Sequence, residues 1–514
     1  VSELPRGWRT STSGDLFEFV TSGSRGWAQF YATDGPLFVR IGNLDHDTIL
    51  LDLREVQRVN VPLNTEGART QVRPGDILVS ITAELGMVGL VPDDLGEAYV
   101  NQHIALARPR PGAEARYIAW FFASEGKRQL LDMRRGATKA GLGLDDIRNV
   151  TVVIPPLPEQ RRIVAKLEAL QERSRRARDA LDAIPPLLEK LRQSILAAAF
   201  RGDLTKEWRA QQPDVEPADK LLARIRIERR KKWEETELAK LVAKGKPPKD
   251  DAWKKKYVEP KPVDTEGLPR LPKGWCWASV ESLCDAQRGI TYGIVLTGDP
   301  VQGGVPTVRC GDIKSFRINV DALKRVAPSI AAEYSRTSLN GGEVLIAIRG
   351  TVGATAAAGP EMTGMNISRE VAMIPLLMQG LSRFLMYCLA GPETETRLMS
   401  HVKGVAQSGI NLADLRTLPV PVPPADEQRA VTSLVERLLD VIGSASADRT
   451  VLTGRLANLD GAILAKAFRG ELVPQDPKDE PVAALPTPAA EAEPTKPPRA
   501  GRAAPKRTAR SRRG

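Results

Sequence analysis

Histidine, cysteine and aromatic residues are scarce in this chain of 514 residues. It has three histidines and four cysteines (Cys276, Cys284, Cys310 and Cys388), and no two cysteines share Cys-x-x-Cys spacing. That pattern argues against a disulfide framework and against a structural zinc site. Aromatics make up 5 %, too few for large stacking surfaces. No run approaches the roughly 18 apolar residues that a membrane span needs. No charged-then-apolar leader opens the chain. The expectation is a cytoplasmic protein without a membrane role.

Catalytic motifs are also missing. There is no Gly-x4-Gly-Lys-(Ser/Thr) phosphate loop, no Gly-x-Gly-x-x-Gly after a strand, and no (Asn/Asp)-Pro-Pro-Tyr run. His46, His103 and His401 have no local motif partner. An enzyme built by duplication is expected to keep a catalytic residue in both copies, and His103 and His401 do not align with each other. The inventory therefore predicts no catalytic residue, no metal and no cofactor bound by this chain.

Apolar residues make up 42 % and charged residues 27 %, the mix of a soluble globular protein. The length suits roughly three domains. The net charge of +11 is unevenly spread. From Pro494 onward there are eight Lys/Arg and no acid, and Thr205–Pro262 carries about +6. The remainder is near neutral, so basicity alone does not make the globular part a nucleic-acid binder.

The chain is written twice. Leu4-Pro5-Arg6-Gly7-Trp8 returns as Leu271-Pro272-Lys273-Gly274-Trp275, and Val39-Arg40-Ile41-Gly42-Asn43 parallels Val308-Arg309-Cys310-Gly311-Asp312. Gly136–Leu170 and Gly404–Leu438 share about 13 identities in 35. Within them Pro155-Pro156-x-x-Glu159-Gln160-Arg161 matches Pro423-Pro424-x-x-Glu427-Gln428-Arg429. Ala199-Phe200-Arg201-Gly202-Asp203-Leu204 matches Ala467-Phe468-Arg469-Gly470-Glu471-Leu472. The offset stays at 267–269 throughout, which chance does not maintain.

Each copy has two parts. The first (1–155 and 268–423) mixes short apolar runs with Gly/Pro/Asp turns. Ile77–Ile81, Val88–Val91, Ile104–Ala107 and Val344–Ile348 read as strands, and Tyr117–Leu131 and Leu381–Leu398 as helices. These are α+β domains. The second part (156–204 and 424–472) is a long helix with apolar residues at alternating steps of four and three. In the first helix the seam is Ile163, Leu167, Leu170, Ser174, Ala177, Leu181, Ile184, Leu188, Leu191, Ile195 and Ala198. In the second it is Val431, Val435, Leu438, Ile442, Ala445, Arg449, Leu452, Leu456, Leu459 and Ile463, with Arg449 the offender. Such a seam is that of a coiled coil. Pro185-Pro186 predicts a kink in the first helix. The expected fold is therefore α+β: two tandem domains joined by two long antiparallel coiled-coil helices, with an internal pseudo-two-fold repeat. Segment 205–267 reads as a charged, exposed helix and solvated linker, with a phosphate-contacting arm as the alternative. Segment 473–514 reads as a disordered basic tail.

The duplicated pairing of Pro-Pro-x-x-Glu-Gln with Ala-Phe-Arg-Gly carries a resemblance. Over 1–204 and 268–472 the chain resembles the specificity subunit of type I restriction–modification enzymes. The resemblance implies that each mixed domain is a target-recognition domain reading one half of a bipartite, asymmetric site in double-stranded DNA. The helices would set the spacer and dock two methyltransferase subunits, with two restriction subunits joining them. S-adenosylmethionine, ATP and Mg2+ would then serve those partners. Two alternatives stay open from the residues alone: a coiled-coil adaptor, or a stand-alone DNA-modifying enzyme with unrecognised motifs. The candidate DNA contacts are polar residues beside turns: Arg25, Gln29, Tyr31, Arg40, Asn43, Gln102 and Lys139 in the first domain. In the second they are Arg288, Tyr292, Arg309, Arg349, Arg369, Lys403 and Gln407.

Overall fold

A computed structural model describes residues 4–23, 25–61, 65–134, 141–400 and 409–482. The chain divides into two compact units, Val1–Ala180 with Leu452–Gly514, and Leu181–Val451. This division cuts across the boundaries read from the sequence. Each unit takes one mixed domain, the beginning of the helix that follows it, and the end of the other helix.

In the first unit, short, largely buried apolar runs make a four-stranded antiparallel sheet in the order Phe17–Ser22, Ile104–Pro109, Ile77–Ser80, Val88–Leu90. A three-stranded sheet runs Gln57–Val59, Tyr31–Val39, Ala98–Val100, its last pair parallel. Arg9–Thr12 pairs with Thr151–Ile154. The second unit is built the same way. Its four-stranded sheet runs Thr291–Tyr292, Val371–Ile374, Val344–Ala347, Thr355–Ala357. Its three-stranded sheet runs Lys324–Val326, Val305–Val308, Asn366–Ile367, again with a parallel last pair. Cys276–Ser279 pairs with Pro419–Val422.

Helices cover one face of each four-stranded sheet. In the first unit Ala115–Phe121 passes through a π-helical turn, Phe122–Gly126, into Lys127–Met133. Tyr117, Ile118, Phe121 and Phe122 are buried there with Ile77, Val79, Ala105 and Ala107. In the second unit the single helix expected over Leu381–Leu398 is two helices, Ser382–Leu389 and Pro392–Ser400. Pro392 opens the second of them, where its missing N–H costs nothing.

The long helices are Leu157–Asp182, Ile184–Phe200 and Ala425–Phe468. The predicted kink is a break at Ala183, with Pro185 in the first turn of the new helix. Within each unit, segments of the two helices run in opposite directions. In the first, Arg178 pairs with Asp460 while Arg162 pairs with Asp479. In the second, Arg449 meets Asp182 while Arg209 meets Glu427. The seam residues are unequally covered. Ile163, Leu167, Ile195, Val431, Val435 and Ile463 are buried, whereas Leu191, Leu452 and Leu459 are 49, 47 and 50 % exposed.

Two expectations need correction. The segment after Leu204 holds the expected charged helix and is mostly exposed, but it is anchored rather than a free tether. Its helix Ala218–Ala243 buries Ala218, Leu221 and Ile225 in the core of the second unit. Trp253 and Tyr257 then fold back on Trp233. The tail is also ordered at its start. Val473 and Val482 pack on the first unit's core, and the Val482 N–H donates to the Gly7 carbonyl at 3.4 Å. The basic stretch beyond 482 lies outside the described residues.

Candidate nucleic-acid interface

The repeated motifs build the junction between each domain and its helices. Trp8 Nε1 donates to Glu159 at 3.1 Å, and Trp275 Nε1 donates to Glu427 at 2.8 Å. Gln160 Nε2 donates to the Pro155 carbonyl and Gln428 Nε2 to the Pro423 carbonyl. The Ala-Phe-Arg-Gly ends seal the same junctions. Phe468 packs edge-on against Tyr117 and Phe121, and Phe200 against Phe384. The motif residues that identify the repeat are therefore scaffold.

The two glutamates are held differently. Glu427 is also held by Arg209 and by Thr205 Oγ1 at 2.6 Å. Glu159 Oε1 is buried with no hydrogen-bond partner. Desolvation pushes the Glu159 carboxyl above its ordinary value, against the pull of Trp8 and Arg162. The cysteines are all free. Burial raises Cys276 to about 11 and Cys388 to about 12, which leaves these thiols unreactive at neutral pH. No group of three or more metal-ligating side chains occurs among the described residues.

Away from the junction, each domain presents a face where the three- and four-stranded sheets meet. In the first unit the Asn101 N–H donates to the Val39 carbonyl at 3.1 Å, and the Ile81 N–H to the His103 carbonyl at 2.9 Å. The Leu142 N–H donates to the Ile81 carbonyl at 2.9 Å. These bonds put Arg40, Thr82, Gln102 and His103 side by side. In the second unit Ser368 donates to Val308, Ile348 to Glu370 and Ile410 to Ile348, at 2.8, 2.8 and 2.9 Å. The same ladder gathers Arg309, Arg349, Arg369 and Glu370.

Several sequence candidates sit on these faces, and others do not. Arg40 and Arg309 each precede a short 3-10 turn whose third residue, Asn43 or Asp312, accepts the arginine's own backbone N–H at 3.0 and 2.9 Å. Arg309 is further tied to the Asp312 carboxylate. Arg25, Gln29, Tyr31, Tyr292, Arg349 and Arg369 are exposed. Lys139, Lys403 and Gln407 lie outside the described residues.

Asn43 and Arg288 are corrections. Asn43 is buried, and its Nδ2 donates to the carbonyls of Asp52 and Glu55 at 2.9 and 2.8 Å, so its amide is spent on the fold. Arg288 pairs with the buried Glu343 and donates to the Ser338 carbonyl at 2.6 Å. Arg108 does the same for buried Asp76, at 2.7 Å. Thr82, His103 and Glu370 were not among the candidates. The signal that finds them is the 267-residue offset applied to the cross-strand neighbours of Gln102 and Arg369.

A model of the type I restriction modification DNA specificity domain matches residues 5–180 and 300–445, more than half the chain. This protein belongs to that family. The EcoBI specificity subunit of Escherichia coli is 28 % identical over 330 residues, 64 % of this chain and 60 % of that subunit. The EcoKI specificity subunit of Escherichia coli strain K12 is 22 % identical over 501 residues, covering 92 % of this chain and 91 % of its own. Among solved structures, a chain from work on complex assembly and conformational transition of the type I R-M system aligns with a TM-score of 0.61 at 21 % identity. That alignment covers 92 % of this chain and all of the other. The HsdS subunit from Thermoanaerobacter tengcongensis aligns at 0.52 and 22 % identity, covering 91 % of this chain and 98 % of that one. These structural likenesses establish the fold of the specificity chain. No helix among its described residues is long and apolar enough to cross a membrane.

Proposed function

We propose that the two mixed domains of this specificity chain each read one half of a bipartite, asymmetric site in duplex DNA. The observation that carries the reading is the pair of register-matched faces. Three backbone hydrogen bonds recur in both, while the side chains around them differ: half-buried Thr82, Gln102 and His103 against exposed Arg349 and Arg369 and half-buried Glu370. Two readers of different half-sites have to agree in scaffold and differ in base contacts.

The two long helices act as the spacer ruler and as the dock for two methyltransferase subunits, which two restriction subunits can join. Its support is the opposed pairing of helix segments inside each unit. The 44 residues of Ala425–Phe468 give a rod of about 66 Å, commensurate with a site longer than one turn of DNA. Methyl transfer from S-adenosylmethionine, and ATP- and Mg2+-dependent cleavage, belong to those partners in the cytoplasm. The family match does not favour a protein adaptor or a self-sufficient modifying enzyme.

Exchange of the first mixed domain tests this reading. Replacing residues 4–155 with those of another family member, and mapping methylated sites in cells that also make the methyltransferase subunit, should change one half-site and spare the other. A change in both halves, or in neither, overturns it.

A further inference from the structure

We infer that the residue pairs Gln102-His103 and Arg369-Glu370 are equivalent specificity-determining elements, the first taking adenine and the second a G·C pair. The inference rests on the DNA-reading function proposed above and names the bases read at one position in each half-site. Both pairs lie between the last strand of the three-stranded sheet and the next strand of the four-stranded one. Hydrogen bonds from Asn101 to Val39 and from Ser368 to Val308 fix the residue before each pair. Bonds from Ile81 to His103 and from Ile348 to Glu370 fix its second member. With both neighbours pinned, position and direction are set by the sheets, and only the side chains differ.

The chemistry follows from what each side chain already touches. His103 Nδ1 lies 2.7 Å from Thr82 Oγ1, and Gln102 Nε2 lies 3.1 Å from His103 Nε2. With the Gln102 amide nitrogen facing Nε2, the ring takes the tautomer that donates from Nδ1 to the Thr82 hydroxyl and accepts at Nε2, which ties down one N–H of the Gln102 amide. Its second N–H and its Oε1 remain as an adjacent donor and acceptor, the complement of adenine N7 and N6 in the major groove.

In the second unit Arg369 is exposed and has no side-chain partner among the described residues. Its backbone is held by a 2.8 Å bond from its N–H to the Ile294 carbonyl. A free guanidinium on a fixed backbone suits guanine O6 and N7. Beside it Glu370 accepts from the Cys310 thiol at 3.2 Å. A carboxylate there accepts from cytosine N4 and repels a phosphate, so this site is a base reader rather than a backbone clamp.

The test uses the specificity chain assembled with its methyltransferase subunits. Methylated sites are mapped for the wild type and for Arg369→Gln, Arg369→Lys and Gln102→Leu, alongside the salt dependence of duplex binding. Arg369→Gln should relax or replace a single guanine in one half-site, with about 10- to 100-fold weaker modification of the parent site. Arg369→Lys should relax the same guanine, because it keeps the charge and loses the fork. Gln102→Leu should relax a single adenine in the other half. Both positions lie at the surface or near it, and unchanged thermal melting confirms that the variants fold. An unchanged motif with a shallower salt slope makes Arg369 a phosphate contact and overturns the inference. An unchanged motif and slope also overturn it. If the wild-type complex itself yields no bipartite motif, the DNA-reading proposal fails first and takes this inference with it.

Discussion

Arg449 Nε donates to the carbonyl of Leu181 at 2.7 Å. In an uninterrupted helix that carbonyl would accept from residue 185, which is proline and has no N–H. The one charged residue in the seam of the second helix therefore supplies the donor that the break in the first one lacks, and its guanidinium also meets Asp182 at 3.0 Å. Arg449→Leu completes the apolar seam, yet it should destabilise the second unit by about 1.5–3 kcal/mol, the range for a hydrogen bond to a charged group. In a Pro185→Ala background, where residue 185 regains its N–H, the same substitution should cost less. A double-mutant cycle in urea measures the coupling, and additive effects would refute the compensation.

The Glu159 junction predicts a pH dependence. Its folded value is raised from 4.5 by burial. The neutral acid is favoured in the folded state, so its contribution to stability is complete below the unfolded value and is lost as pH rises through the folded one. Glu159→Gln stays neutral at every pH. Its melting temperature should gain on the wild type as pH rises from below 4.5, the ordinary value, toward neutral. A constant difference across that range would contradict the assignment.

Gly470 has φ +77°, and a Cβ there would stand 2.6 Å from Pro5 Cγ and 3.1 Å from the Trp8 ring. Gly470→Ala should therefore loosen the docking of Phe468 and its neighbours on the first unit, at a cost of about 1–3 kcal/mol. Limited proteolysis after Arg469 reports the loosening. Gly454→Ala makes a clean control, since nothing lies within 4 Å of its Cβ and it sits inside a helix. It should be neutral or slightly stabilising.

Arg229 is 7 % exposed, and links the charged helix to the second unit. Its Nε donates to the Cys284 carbonyl at 3.1 Å and its Nη1 to the Tyr257 hydroxyl at 2.8 Å. Arg229→Met keeps the apolar stem and removes both bonds. Cleavage by trypsin between Lys244 and Lys256 should accelerate severalfold, because that stretch would lose its anchor at Tyr257. An unchanged rate would return the segment to the solvated linker that its composition suggests.

Much of the scaffold was legible because it is periodic. The runs Ile77–Ser80, Val88–Leu90 and Ile104–Pro109 are strands, as their alternation with turn residues implies. The heptad steps place Ile163, Leu167, Val431 and Val435 in the cores. The proposed reading faces were only half legible. Arg288 and Asn43 look like surface residues because charge and an adjacent turn are local signals, whereas their partners Glu343, Asp52 and Glu55 come from elsewhere in the chain. Thr82 and His103, 21 residues apart, meet only across two strands. Composition showed the charged helix of the 205–267 segment but not its anchoring, since only Ala218, Leu221, Ile225 and Arg229 of that helix, on one face, are buried.

The buried carboxylates Asp76 and Glu343 occupy matching turns, but their arginines come from different places: Arg108 from the strand Ile104–Pro109, and Arg288 from the residues just ahead of Thr291–Tyr292. A hybrid that grafts sheet pieces from one domain into the other inherits a mismatch unless acid and base travel together. An orphaned carboxylate at that depth costs about 3–5 kcal/mol. Whole domains can therefore be traded between such chains with the ion pair intact, while crossovers drawn inside a domain are penalised by an arrangement buried in the scaffold.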